Sequence, residues 1–215
     1  MTEEEARGWL DAQFSVPRET WDRLERYVAI LLAAMDGQNL IAESTRPHVW
    51  ARHIVDSAQL LTHAVQADDG EWIDLGSGAG LPGIVVACLS DRPVVMVESR
   101  RMRIDFLNEV VAQLGLGHAR VFGGRVENVA STAAAVISAR AYAPLPKLFA
   151  SAAHLANKKT LWVLPKGRNA ENELEAARPA WQGLFHVEPS VTDADSAIIV
   201  AQAVKPVVAR RKSRA

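Results

Sequence analysis

The chain has 215 residues, 49% of them hydrophobic and 23% charged, with a formal net charge of −1 and one cysteine, Cys88. That is an ordinary globular composition, long enough for one substantial core plus an appendage, with no internal disulfide or cysteine-based zinc site available. No stretch approaches the roughly 18 apolar residues of a membrane span, and the acidic start Met-Thr-Glu-Glu-Glu is no secretory n-region, so a cytoplasmic location is expected.

Two zones follow along the chain. Residues 1–66 read as a helical region. Trp21, Leu24, Tyr27, Val28, Leu31 and Leu32 recur at helical spacing, behind a start signal at Pro17 and before a stop at Gly37. A polar loop leads to Pro47, and His48 to Val65 form a second helical pattern. There His53 and Asp56 lie three apart on one face, which suits a helix-stabilising hydrogen bond or a role against a ligand. Asp68-Asp69-Gly70 mark a hinge into residues 67–206, where strand and helix patterns alternate. Such alternation predicts an α/β protein with a mostly parallel sheet and helices on both faces.

The first strand, Trp72-Ile73, ends in Asp74 and runs into Gly76, Gly78 and Gly80. Glycine permits a sharp turn and lets a ligand lie against the main chain. An apolar helix, Ile84 to Leu89, follows, so a nucleotide-type pocket is expected at the carboxyl edge of the sheet. A pyrophosphate turn needs G-x-G-x-x-G after a strand. The shifted copy at Gly78, Gly80 and Gly83 has no strand directly before it and contains Pro82. An acidic residue before G-x-G-x-G favours S-adenosylmethionine, with Asp74 placed for the methionine amino group; a ligand-free glycine loop is the plainer alternative. The second strand, Pro93 to Val97, ends in Glu98, 22 residues after Gly76 and near the spacing at which an acid meets ribose hydroxyls. Cys88, in the apolar helix, reads as a small core residue.

Helix Arg101–Leu114 is stopped by Gly115 and Gly117. Strands are expected at about 119–122, 135–139 and 160–164, with a helix starting near Pro146 and another from Ala170 to Trp181. Two last strands, near 184–187 and 197–204, would form an antiparallel pair at the sheet edge. Seven strands with a final hairpin is a Rossmann-like class I methyltransferase layout. Lys205, Arg210, Arg211, Lys212 and Arg214 give the last eleven residues a charge of +5, leaving −6 on the other 204. Residues 207–215 therefore read as a basic tail, suited to nucleic-acid phosphates or simply to solubility. Arg100, Arg101 and Arg103 form a second basic cluster beside the pocket rim. No dimerisation stripe is evident, which points to a monomer.

Several motifs carry a family resemblance. Asp74 to Gly83 with its Leu-Pro-Gly ending, Arg125-Val126-Glu127, and Ile137-Ser138-Ala139-Arg140-Ala141-Tyr142 occur in that order. Together with Asn39-Leu40-Ile41, Arg52-His53-Ile54-Val55-Asp56-Ser57 and Leu164-Pro165-Lys166-Gly167, they resemble the RsmG (GidB) family over roughly residues 20–205. Ile41 stands where the family usually has Thr, and Pro165 precedes Lys166. The resemblance implies a methyltransferase that uses S-adenosylmethionine to modify guanine N7 in the 530 loop of 16S ribosomal RNA, with that RNA or the 30S subunit as partner. It implies that Gly76 and Leu81 line the cofactor pocket, that Val126 and Glu127 lie beside the adenine, and that Arg140 faces cofactor and target base. Arg101, Arg103, Arg125, Tyr142, Lys166, Arg210, Arg211 and Lys212 are the RNA-binding candidates. No structural metal is expected. A small-molecule methyltransferase, a non-catalytic S-adenosylmethionine-binding module and, more distantly, a dehydrogenase are the competing readings.

Overall fold

A computed structural model describes residues 1–207. Its centre is a seven-stranded sheet: β1 Trp72–Leu75, β2 Val94–Glu98, β3 Ala119–Gly123, β4 Val136–Ser138, β5 Leu161–Lys166, β6 Trp181–Pro189 and β7 Ala197–Pro206. The spatial order is β3-β2-β1-β4-β5-β7-β6. The first five strands pair in parallel, and β7 inserts antiparallel between β5 and β6. The strand order thus reverses between the parallel neighbours β1 and β4, which opens a crevice at their carboxyl ends. β1 and β2 are buried along their whole length, as strands covered on both faces require.

Alternate side chains on each strand feed two cores. Trp72, Val94, Met96, Val136 and Val163 face one side. There they meet α1 (Glu3–Phe14), α2 (Arg18–Ala34), α3 (Asp56–His63), α4 (Gly83–Leu89) and α5 (Arg101–Leu114). Ile73, Leu75, Val95, Ile137 and Trp162 face the other side, against α6 (Leu145–Ala152) and α7 (Ala170–Ala177). Residues 1–63 therefore supply a helical layer that shares its core with the sheet.

Three local differences from the sequence expectations have plain causes. The segment expected as a polar loop and one helix is a 3-10 turn (Glu43–His48), a π-helix (Trp50–Val55) and then α3. Glu3 explains the start of the π-helix: its carboxylate accepts the Trp50 and Ala51 amides, both at 3.0 Å, as an N-terminal cap does. The helix expected through Trp181 stops at Ala177, because Pro179 cannot continue it. Trp181 instead opens β6 and packs against Phe149 with ring centroids 5.5 Å apart. β6 is also longer than expected, and its register with β7 shifts at Gly183.

Candidate functional site

The turn after β1 is closed by hydrogen bonds to the backbone and to two carboxylates. Gly76, Gly78 and Gly80 have φ of 67°, 57° and 91°, a region that side-chain-bearing residues rarely adopt. The amides of Gly76 and Ser77 donate to Val97 O, those of Gly80 and Leu81 to Ser77 O, that of Gly78 to Glu98, and that of Gly83 to Asp74. Of the turn's amides from Gly76 to Gly83 only that of Ala79 has no acceptor among the described residues, and a single free N–H is no cradle for a pyrophosphate. That geometry argues against the dinucleotide alternative. Tyr27, fully buried on α2, donates its hydroxyl to Ala79 O at 2.8 Å and fastens the turn to the helical layer.

Three features line up along the carboxyl edge. The turn follows β1. Glu98 ends β2, only 4% exposed, and accepts the amides of Gly78, Ser99 and Arg100. Arg125 and the buried Val126 begin a short 3-10 turn after β3. A φ-positive glycine turn, an adjacent carboxylate and a buried aliphatic side chain suit the turn, ribose and adenine of an adenosyl group. Leu81 is buried at 5% exposure, and Glu127 faces solvent.

Asp74 lies in β1. It is fully buried; Oδ1 accepts the Ser138 hydroxyl at 2.8 Å and Oδ2 accepts the Gly83 amide at 3.2 Å. Ser138 in turn accepts Trp72 Nε1 at 2.8 Å. Burial raises the Asp74 pKa to about 6 although those donors pull it down. Asp74 thus ties β4 to the start of α4 from behind the turn, with both oxygens turned away from solvent.

Arg140, two residues past β4, is the centre of a network that spans the chain. Its Nη1 donates to Asp56 Oδ2 at 3.2 Å and its Nη2 to His53 Nδ1. A guanidinium has no acceptor, so Nδ1 must carry the lone pair and the ring proton sits on Nε2. Nε2 then donates to Thr45 Oγ1 at 2.7 Å, whose hydroxyl donates to Ala42 O. Burial first, and then the charges of Arg140 and Arg52, push His53 down to about 3, so it is neutral. Asp56 Oδ1 takes Gln59 Nε2 and the Thr192 hydroxyl, while Arg52 pairs with Asp193 at 2.7 Å. These bonds draw the loop between β6 and β7 onto the π-helix and the start of α3. His53 and Asp56 therefore act together on Arg140 from either side of the π-to-α junction.

Beside this network lies a cavity of about 670 Å³, walled by Arg140, Tyr142, Pro144, Lys166, Glu173 and the loop from Ser190 to Ser196. Tyr142 lies over the glycine turn: a Cβ on Gly76 would come within 2.7 Å of its ring. Ala141, between Arg140 and Tyr142, has φ of 50° and sends the two side chains in different directions. Lys166 is mostly buried and pairs with Glu173 at 2.7 Å. Arg103 is tied inward, 3.9 Å from Glu98 and donating to Asn39 O. Arg101 is exposed and paired with Asp105, and Arg125 is exposed. Arg210, Arg211 and Lys212 lie outside the described residues. The last described strand ends at Pro206, at the sheet end opposite the cavity, since β7 runs antiparallel to β5. Thr45, Gln59, Glu173, Thr192 and Asp193 had no sequence signal. Asp193 is 141 residues from its partner Arg52. Among the described residues no group of His, Cys, Asp or Glu is arranged to hold a metal ion, and no helix is long and apolar enough to cross a membrane.

Sheet order, final hairpin and glycine turn together define a class I, S-adenosylmethionine-dependent methyltransferase fold. Solved structures share it: a mutant of MtNAS in complex with S-adenosylmethionine (TM-score 0.58, 13% identity, 94% of this chain and 84% of that one) and an Aquifex aeolicus SAM-dependent methyltransferase (TM-score 0.56, 12% identity, 73% and 93%). At such identities the likeness establishes the fold alone. Sequence similarity goes further. The family model for rRNA small subunit methyltransferase G matches residues 20–198. Curated relatives named ribosomal RNA small subunit methyltransferase G occur in Sphingopyxis alaskensis, 54% identical over 92% of this chain and 85% of the relative, and in Rhizorhabdus wittichii, 51% identical over 96% and 95%. The chain belongs to the ribosomal RNA small subunit methyltransferase G family.

Proposed function

We propose that the chain transfers a methyl group from S-adenosylmethionine to N7 of a guanine in the 530 loop of 16S ribosomal RNA, by in-line displacement without a general base. The supporting observation is the polar cavity walled by Arg140, Tyr142 and Lys166, with the Tyr142 ring over Gly76 of the glycine turn, in a chain of this family. The cofactor supplies an electrophilic sulfonium methyl. Guanine N7 has an in-plane lone pair and no proton to lose, so the reaction asks for alignment, which is worth up to ~7–11 kcal/mol. His53 is not available as a base there, because its one lone pair receives Arg140.

In this reading Gly76, Gly78, Gly80, Leu81, Glu98, Val126 and Glu127 form the cofactor side. Asp74 supports the turn from behind. Arg140, held by Asp56 and His53, faces the reacting edge, and Tyr142 stacks on the extruded base. Unstacking that base costs a few kcal/mol, and an aromatic surface offsets part of it. Arg101 and Arg125 are exposed for phosphate contacts; Arg103 instead steadies Glu98. Methylation at adenine nitrogen commonly uses an Asn/Asp-Pro-Pro-aromatic motif after the fourth strand, where this chain has Ser138-Ala139-Arg140-Ala141-Tyr142. The 16S ribosomal RNA or the 30S subunit is the expected substrate and a monomer the working form.

The test is transfer of radiolabelled methyl to 30S subunits lacking this modification, followed by aniline cleavage, which maps 7-methylguanosine. Label at one guanine of the 530 loop supports the reading. Label elsewhere, or cofactor binding without incorporation, removes it.

A further inference from the structure

Three carboxylates line the cavity, and two are fully committed. Asp56 accepts Arg140, Gln59 and Thr192, and Asp193 accepts Arg52 and the Asp195 amide. Glu173, in the first turn of α7, differs. Its Oε2 receives Lys166 Nζ at 2.7 Å, while Oε1 has no partner among the described residues and the side chain is 33% exposed. Lys166 Nζ also donates to Ala143 O at 3.2 Å, leaving one of its three N–H groups for a ligand. Besides Arg52 and Arg140, the cavity wall therefore holds a lysine with a spare donor next to a carboxylate oxygen that has no partner among the described residues.

That pairing matches one base edge. Guanine presents O6 as an acceptor next to N1–H and N2–H as donors. Adenine presents a donor, an acceptor and a carbon. A base whose N7 points at the glycine turn turns its N1 and N2 edge toward the far wall of the cavity. Resting on the function proposed above, we infer that Lys166 and Glu173 read this edge, Lys166 donating to O6 and Glu173 accepting from N1–H and N2–H. Glu173 is thereby a specificity-determining residue.

The test crosses residue with base group. Small subunits are reconstituted with 16S RNA carrying guanosine or inosine, which lacks the N2 amino group, at the target position. Methyl transfer is measured for the native protein, Glu173→Ala and Glu173→Gln, each first shown by circular dichroism to be folded. For the native protein kcat/KM on guanosine should exceed that on inosine by about ten-fold or more, the size of a hydrogen bond to a charged group. In Glu173→Ala the ratio should fall to about one, and in Glu173→Gln to an intermediate value. A merely structural ion pair would slow both substrates equally, so an unchanged ratio in folded variants overturns the inference. So does a native ratio near one. Failure of the native protein to methylate the guanosine subunit at all removes the proposed function itself, and this inference with it.

Discussion

Arg140 bears two hydrogen bonds that no other side chain present can replace at once. Truncation leaves Asp56 short of its cation and the buried His53 Nδ1 without a donor, at a cost to stability of about 1–3 kcal/mol. Arg140→Ala should lower kcat by on the order of 10²-fold, since misplacing a reacting group costs that much, while circular dichroism still reports a folded protein. Arg140→Lys should rescue little, because an ammonium cannot serve both partners in a fixed plane. Normal methylation by Arg140→Ala would remove the role given to it. His53 makes stability depend on acid. Its folded pKa of about 3 lies below the unfolded 6.5, so the folded state binds fewer protons between those values. Its stabilisation is complete above about pH 6.5 and is lost as pH falls toward 3. On acidification across that window His53→Gln should lose less of its urea midpoint than the native protein. An identical pH slope in the variant would count against the assignment. Asp74, held up to about 6 from 3.8, works in the opposite sense, losing stability as pH rises through that interval.

At the scale of elements, the glycine turn depends on close approach as much as on φ. A Cβ on Gly80 would sit 2.5 Å from Ile84 Cγ1 and 3.1 Å from Leu107 Cδ2, at φ of 91°. Gly80→Ala must therefore push α4 and α5 away from the turn. The expected loss is about 2 kcal/mol or more in denaturant unfolding, with weaker cofactor binding by calorimetry. Gly115, at φ of 65° but facing open space, is the control. Gly115→Ala should cost only the backbone strain of about 1–2 kcal/mol and leave cofactor affinity as it was. Equal effects at both positions would mean that packing at the turn is unimportant. The π-helix is a second element set by contacts outside itself, through the Glu3 cap and through Arg7, whose guanidinium lies 4.0 Å from the Trp50 ring centroid. The wider π turn presents His53 to Arg140 while Asp56 begins the regular helix behind it.

Across the whole molecule, charge separates the catalytic domain from its basic end. Deleting residues 208–215 removes Arg210, Arg211, Lys212 and Arg214. If they meet phosphates, KM for the RNA substrate should rise and the salt dependence of binding should lose ~0.7–0.9 in logarithmic slope per contact. The value of kcat should not change, because β7 leaves the sheet at the end opposite the cavity. An unaltered salt slope would make the tail a solubilising end. The shared core of the helical layer and the sheet means that loosening α1 or α2 should be felt at the turn through Tyr27.

Periodicity and turn chemistry are local, so they could be read from the chain itself. The alternation of strand and helix, the buried runs of β1 and β2, the glycine turn, Glu98 at its strand end and the closing hairpin all rest on neighbours a few residues apart. Arg140 could be named from its motif, but its partners could not. Asp56 and His53 lie 84 and 87 residues away, and no spacing rule joins two surfaces that meet only when α3 packs on the sheet. The same holds for Asp74, whose inward orientation depends on Ser138 from the adjacent strand. Glu173 sits in a short helix with no motif, and only the packing of α7 beside β5 sets it against Lys166. The sequence by itself determined the fold class and the residues that stand at the strand ends. Tertiary structure decided which polar groups are spent on one another and which remain free for a substrate, because hydrogen-bond partnership is settled by distance in space.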